Sequence, residues 1–139
     1  MNQFGGNWTE SKMEIVVSYA KAYLTIMKEQ KWAKTIYFDG FAGSGIIETD
    51  DSEEKIKGTA LRILDITEPS EFDMYYFVEL DEKHKLDLDK QIQENYFGRN
   101  IHIANADCNE KLVKLAEYLA ANKAFRALAF IDPYGMSVN

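Results

Sequence analysis

Cysteine is nearly absent from this chain: Cys108 is the only one in 139 residues, which excludes an intrachain disulfide framework and a cysteine-based zinc site. The two histidines, His84 and His102, fall in separate segments, and no metal is expected. A reducing, cytoplasmic setting follows. No apolar run approaches the roughly 18 to 20 residues of a membrane span, and the N-terminus lacks the charged-then-apolar layout of a signal peptide. The expectation is a soluble, intracellular chain with no membrane partner. Basic residues are also in deficit. A formal charge of −7 argues against a broad basic footprint for nucleic acid, because phosphate affinity is carried by clustered Lys and Arg; a nucleic-acid substrate would need another region or a partner. What remains is an ordinary globular composition, 46% hydrophobic, enough for one domain to bury a core.

The most informative stretch is Thr35 to Gly45. Ile36, Tyr37 and Phe38 form the short apolar run of a buried parallel strand. Asp39 ends it, where open α/β sheets place their ligand contacts. Gly43 and Gly45 then allow a ligand to approach the main chain without a Cβ in the way. Strand, acid and G-x-G turn together suggest a nucleotide-like ligand; a ligand-free tight turn is the plainer alternative.

Along the chain, Thr9 or Ser11 is a candidate helix cap, with Ser11 to Glu14 at capping-box spacing. Val16, Ala20, Tyr23, Leu24 and Met27 recur at helical spacing, predicting an amphipathic helix over residues 10–30 that packs on one face of the sheet. Residues 46–57 carry five crowded acids and no apolar periodicity, and read as an exposed loop. The crossover helix starts near Gly58-Thr59 and runs through Leu61, Ile63 and Leu64. Met74 to Leu80 is a second strand ending in Glu79 and Asp81. Asp81 caps the next helix, leaving Glu79 for the ribose-binding role that an acid at this place has in dinucleotide folds. That helix runs over Glu82 to Asn95 with Leu86, Leu88 and Ile92 inward, and ends in a turn at Gly98. Ile101 to Ala104 is a third strand. It leads to Asp107, a helix cap on one reading and, on the other, an acceptor suited to an exocyclic amine. Cys108 reads as a small packing residue. Leu112, Val113, Ala116, Leu119 and Ala120 give a further helix, and Ala127 to Ile131 a fourth strand before Asp132-Pro133-Tyr134-Gly135. Alternating strands and helices imply right-handed βαβ units and a parallel sheet.

Asp39-Gly40-Phe41-Ala42-Gly43-Ser44-Gly45 resembles motif I, in its D-x-F-A-G-S-G form, of class I S-adenosylmethionine-dependent methyltransferases, especially those that modify nucleic-acid bases. More narrowly, Gly5 to Glu10, this motif and Phe130 to Gly135 resemble the three-Cys-motif partner protein family, which is methyltransferase-like and named for a neighbouring cysteine-motif protein. The resemblance implies an S-adenosylmethionine cofactor, with Asp107 near the adenine amino group and Phe4 to Thr9, Trp8 included, covering the pocket. It implies catalytic roles for Asp132, Pro133 and Tyr134: acceptors that orient a target amine and a ring that stacks on the base. The chain departs from the family pattern in having one proline where amino-methyltransferases have two, and in delaying the helix after the G-x-G. It also implies a three-Cys-motif protein as a possible partner and a nucleic-acid base as a possible substrate.

The expected architecture is an α/β, Rossmann-like methyltransferase fold, its N-terminal half, with parallel strand order 3-2-1-4 and flanking helices. Residues 1–34 are an N-terminal segment and helix, and residues 35–139 a cofactor-binding half-domain truncated at its C-terminus. In that order Asp39 and Asp132 face one crevice, with Glu79 and Asp107 on its cofactor side. The edge of the fourth strand invites self-association or a partner. A non-catalytic nucleotide-binding or scaffold module is the alternative; a nicotinamide-dependent dehydrogenase is disfavoured by the missing third glycine.

Overall fold

A computed structural model describes the backbone of residues 3–42, 46–48 and 55–131, and the side chains of residues 10–42 and 57–131. Among the described residues four helices and six strands follow one another as α1 (Gln3–Lys28), β1 (Lys34–Asp39), β2 (Ile46–Glu48), β3 (Lys55–Lys57), α2 (Thr59–Leu64), β4 (Met74–Val78), α3 (Glu82–Asn95), β5 (Ile101–Ala104), α4 (Cys108–Ala121) and β6 (Phe125–Phe130). β1, β4, β5 and β6 form one sheet in the order β5-β4-β1-β6, and every pairing in it is parallel. This is the expected order 3-2-1-4, a Rossmann-like α/β arrangement. β1 and β6 lie side by side where the winding reverses, so the carboxyl ends of the strands open on a switch point.

The side chains of β1 alternate between two layers. Tyr37 lies beside Tyr75 in register and packs with Phe77 against buried residues of three helices: Val16, Ala20 and Leu24 of α1, the apolar residues of α2, and Leu88 and Ile92 of α3. Phe72, ahead of β4, sits between Tyr23 and Tyr37, its ring centroid 6.0 and 5.4 Å from theirs. On the opposite layer Phe38 and Val78 pack with Cys108, and Leu112 and Leu115 of α4 close over them in part. A carboxylate fixes where β1 begins: Asp73 Oδ2 accepts the Thr35 N–H at 2.8 Å, and the Asp73 N–H donates to the Thr35 carbonyl at 3.0 Å.

Three expectations are corrected. α1 starts at Gln3 and not at residue 10, so Thr9 and Ser11 lie inside the helix and the capping box does not form there. Gly5 and Gly6 weaken a helix by about 1 kcal/mol each, but extending a helix already anchored by Met13, Val16, Ala20 and Leu24 needs no new nucleus. The stretch 46–57 is not all loop: β2 and β3 pair antiparallel, with Ile47 opposite Ile56 and Glu48 opposite Lys55. Leu86 is exposed, leaving Leu88 and Ile92 as the inner residues of α3. Val113 is also exposed, because α4 turns its Leu112 and Leu115 stripe to the sheet. The other boundaries agree closely. α2 begins after Gly58, Asp81 caps α3 by accepting the His84 N–H, and Gly98 takes a φ of 95° in the turn beyond it, a conformation natural to glycine.

Candidate functional site

β1, β4 and β5 each deliver an acid at or just beyond their carboxyl ends: Asp39, Glu79 and Asp107. Asp39, the last residue of β1, is fully buried. Its Oδ1 accepts the Phe41 N–H at 3.0 Å, the local turn that Asp side chains make with the backbone two residues on. The chain leaving β1 is then tied to both neighbouring strands. The Gly40 N–H donates to the Phe130 carbonyl of β6 at 3.1 Å, and the Ala42 N–H to the Val78 carbonyl of β4 at 2.9 Å. Ala42 is buried in the main core, and Phe41 is half-buried against the smaller one.

Gly40 is required here by proximity. A Cβ at this position would collide with Cys108 Sγ, so only a glycine lets the first turn of α4 close against the end of β1. Asp107 caps that turn, its Oδ2 accepting the Glu110 N–H at 3.3 Å. Burial pushes the Cys108 thiol up, and the negative charges of Asp107 and Asp39 push it further. Held as the neutral thiol, Cys108 is a packing residue and not a nucleophile. The two carboxylates flank it. Tyr37, beneath Asp39 on the same layer, has its hydroxyl pushed well up by burial and then by the Asp39 charge, so it stays neutral.

Glu79 is buried to within 8%. Its Oε2 accepts the Asp81 N–H at 2.9 Å, so the corner after β4 folds around this carboxylate while Asp81 serves the helix. The Glu79 N–H donates to the Ala104 carbonyl at 2.9 Å. Asn105 clips the same corner from the β5 side: its Nδ2 donates to the carbonyls of Glu79 and Leu80, both at 2.9 Å. Asn105 is the positioning residue that the sequence pattern does not assign; its one signal is an amide side chain directly after a strand. Leu80 at 70% exposed and Ile131 at 40% add apolar surface after the ends of β4 and β6.

The structure therefore brings Asp39, Gly40, Phe41, Ala42, Glu79 and Asp107 to the carboxyl ends of three adjacent strands. Gly43, Ser44, Gly45, Asp132, Pro133 and Tyr134 lie outside the described residues, and the side chains of Phe4 to Thr9 do as well. Asp107 caps α4 as one of its two readings requires. Among the described residues no cluster of three or more His, Cys, Asp or Glu is placed to hold a metal ion, and no helix is long and apolar enough to cross a membrane.

No protein-family model matches the chain, and no curated protein matches it. Among solved structures it is similar to the crystal structure of protein LPL1258 from Legionella pneumophila, of family model DUF519, with 17% sequence identity and a TM-score of 0.66. The likeness is one of fold. It covers 93% of this chain and 58% of that one, so the chain spans somewhat over half the length of the protein it resembles.

Proposed function

We propose that the carboxyl ends of β1, β4 and β5 bind S-adenosylmethionine, and that the chain is methyltransferase-like, serving transfer of a methyl group to a nitrogen of a nucleic-acid base. The observation that carries the reading is the convergence of Asp39, Glu79 and Asp107 on one end of a parallel sheet with order 3-2-1-4. The donor set fits a nucleoside: carboxylates accept from hydroxyls and from an exocyclic amine, and exposed Leu80 offers an apolar surface beside Glu79. Asp39 shapes the turn through the Phe41 amide, Glu79 accepts from ribose hydroxyls, and Asp107 accepts from the adenine amine while capping α4. When bound, the cofactor supplies an electrophilic methyl group on sulfur. Asp132 and the Pro133 region orient the target amine, and Tyr134 stacks on the base. A cytoplasmic location agrees with this role.

A second reading, a non-catalytic module that binds a three-Cys-motif protein or another copy of itself, is favoured by one feature. Among the described residues β6 pairs only with β1, which leaves the outer edge of a six-residue strand open to another chain.

Calorimetric titration with S-adenosylmethionine and S-adenosylhomocysteine tests the first reading. Saturable binding to both is expected, weakened about tenfold or more by Glu79→Gln and by Asp107→Asn, since each removes a charge-assisted hydrogen bond. Absence of binding by a folded sample overturns it for this chain.

A further inference from the structure

The layer opposite the main core contains a hollow that the site above does not use. Its floor crosses three strands: the Phe38 and Tyr76 rings stack with centroids 5.8 Å apart and planes 13° from parallel, and Tyr76 stacks in turn on His102 at 5.9 Å and 23°. Leu115 and Tyr118 of α4 wall one side, and Lys111 and Lys114 complete the lining. The volume is about 250 Å³. Met74, the first residue of β4, and Tyr118, near the end of α4, place it toward the amino-terminal ends of the strands, away from Asp39, Glu79 and Asp107.

We propose that this hollow binds a small planar aromatic anion, one or two fused rings bearing a carboxylate or similar acid. Three observations select that chemistry. Three rings stacked in series in the lining offer aromatic surface against which a flat ring packs edge-to-face or offset. The volume exceeds the roughly 150 Å³ of a cavity that takes benzene and falls short of the roughly 300 Å³ at which drug-sized sites begin. The lining includes two lysines and no carboxylate, on a chain whose net charge is −7. Among the described residues no ion pair engages either ammonium. The lining draws on β1, β4, β5 and α4 but not on β6.

Titration of the protein with 2-naphthoate, followed by ligand fluorescence and by amide chemical shifts, tests the proposal, with 2-naphthamide as the uncharged control. Saturable binding in the micromolar to millimolar range is expected, with shifts at Tyr76, His102 and Leu115. Lys111→Gln with Lys114→Gln, both at the surface, should weaken naphthoate about fivefold to tenfold and leave naphthamide unchanged. His102→Ala should weaken both. Equal loss of the two ligands in the lysine variant, or no saturation by millimolar naphthoate, overturns the proposal. So does a dimer in sedimentation that the lysine variant dissociates, which would make a second copy the occupant. Displacement of naphthoate by S-adenosylmethionine would merge the two sites and overturn it too.

Discussion

Tyr37, Tyr75 and Phe77 on one layer of the sheet are sealed beneath three helices, whereas Phe38 and Tyr76 on the other have only α4 over them among the described residues. Among the described residues, fifteen buried ones form the first core and three the second. The strands are the same, so the inequality comes from where the connections run. β1 to β4 and β4 to β5 progress in one direction and leave α2 and α3 on one layer; β5 to β6 reverses and sends α4 to the other. Stability is concentrated on the first layer. The second keeps room for a ligand.

Truncation separates the two layers most sharply. Phe77→Ala, at a residue with no exposure, should lower unfolding free energy by about 3 to 5 kcal/mol in urea denaturation. Leu115→Ala, half-buried on the second layer, should cost about 1 to 2 kcal/mol. Equal losses would mean that the layers are not thermodynamically distinct.

The second layer has one tight place, which the next largest effect would expose. Gly40→Ala should cost about 1 to 3 kcal/mol through the contact of its new methyl with Cys108 Sγ. Cys108→Ala removes the sulfur, so the double variant should recover most of that loss. A double-mutant cycle measures the coupling, and simple additivity would show that the close approach is not maintained in solution.

The smallest effect lies at the rim of the first layer, where Lys57 Nζ meets Asp65 Oδ2 at 2.8 Å and the Tyr96 hydroxyl donates to Asp65 Oδ1 at 2.6 Å, joining β3, the end of α2 and the end of α3. The hydrogen bond that the Lys57 ammonium donates to the Asp65 carboxylate holds it above its usual range. A raised folded-state value means that this stabilisation is complete below the unfolded lysine pKa and is lost as pH rises through the folded one. The pair is half-exposed, so Lys57→Gln should remove no more than about 0.2 to 1 kcal/mol near neutrality. Its unfolding free energy should therefore fall less steeply at alkaline pH than that of the unaltered chain.

Much of the first layer is legible in the sequence because periodicity reports burial directly. The apolar run at Ile36 to Phe38, the helical stripe of α1 and the Gly58 start of α2 each mark an element locally, and alternation of helices with strands then yields the sheet order. Periodicity does not report how wide a buried stripe is. Leu86 and Val113 stand on helical positions that would be inward under fuller cover and are outward here. The pair β2 and β3 escapes notice because three residues a side are too few to show alternation around an acidic run. At the candidate site the acids at strand ends are visible as residues, but the Gly40 to Cys108 approach is not, since nothing in either neighbourhood names the other. The hollow is hidden for the same reason, its lining being drawn from β1, β4, β5 and α4.

The burial of Cys108 against the main chain of Gly40 also gives the molecule a reporter of its own. As the chain's single thiol, it can be modified by a disulfide-exchange reagent at one position only, and only when the first turn of α4 lifts from the end of β1. The rate of that modification is a clock for local opening between Asp39 and Asp107, readable on the unaltered protein without an introduced label. A ligand that clasps these two carboxylates would slow the clock, and one seated in the distant hollow would leave this end of the helix to keep its own time.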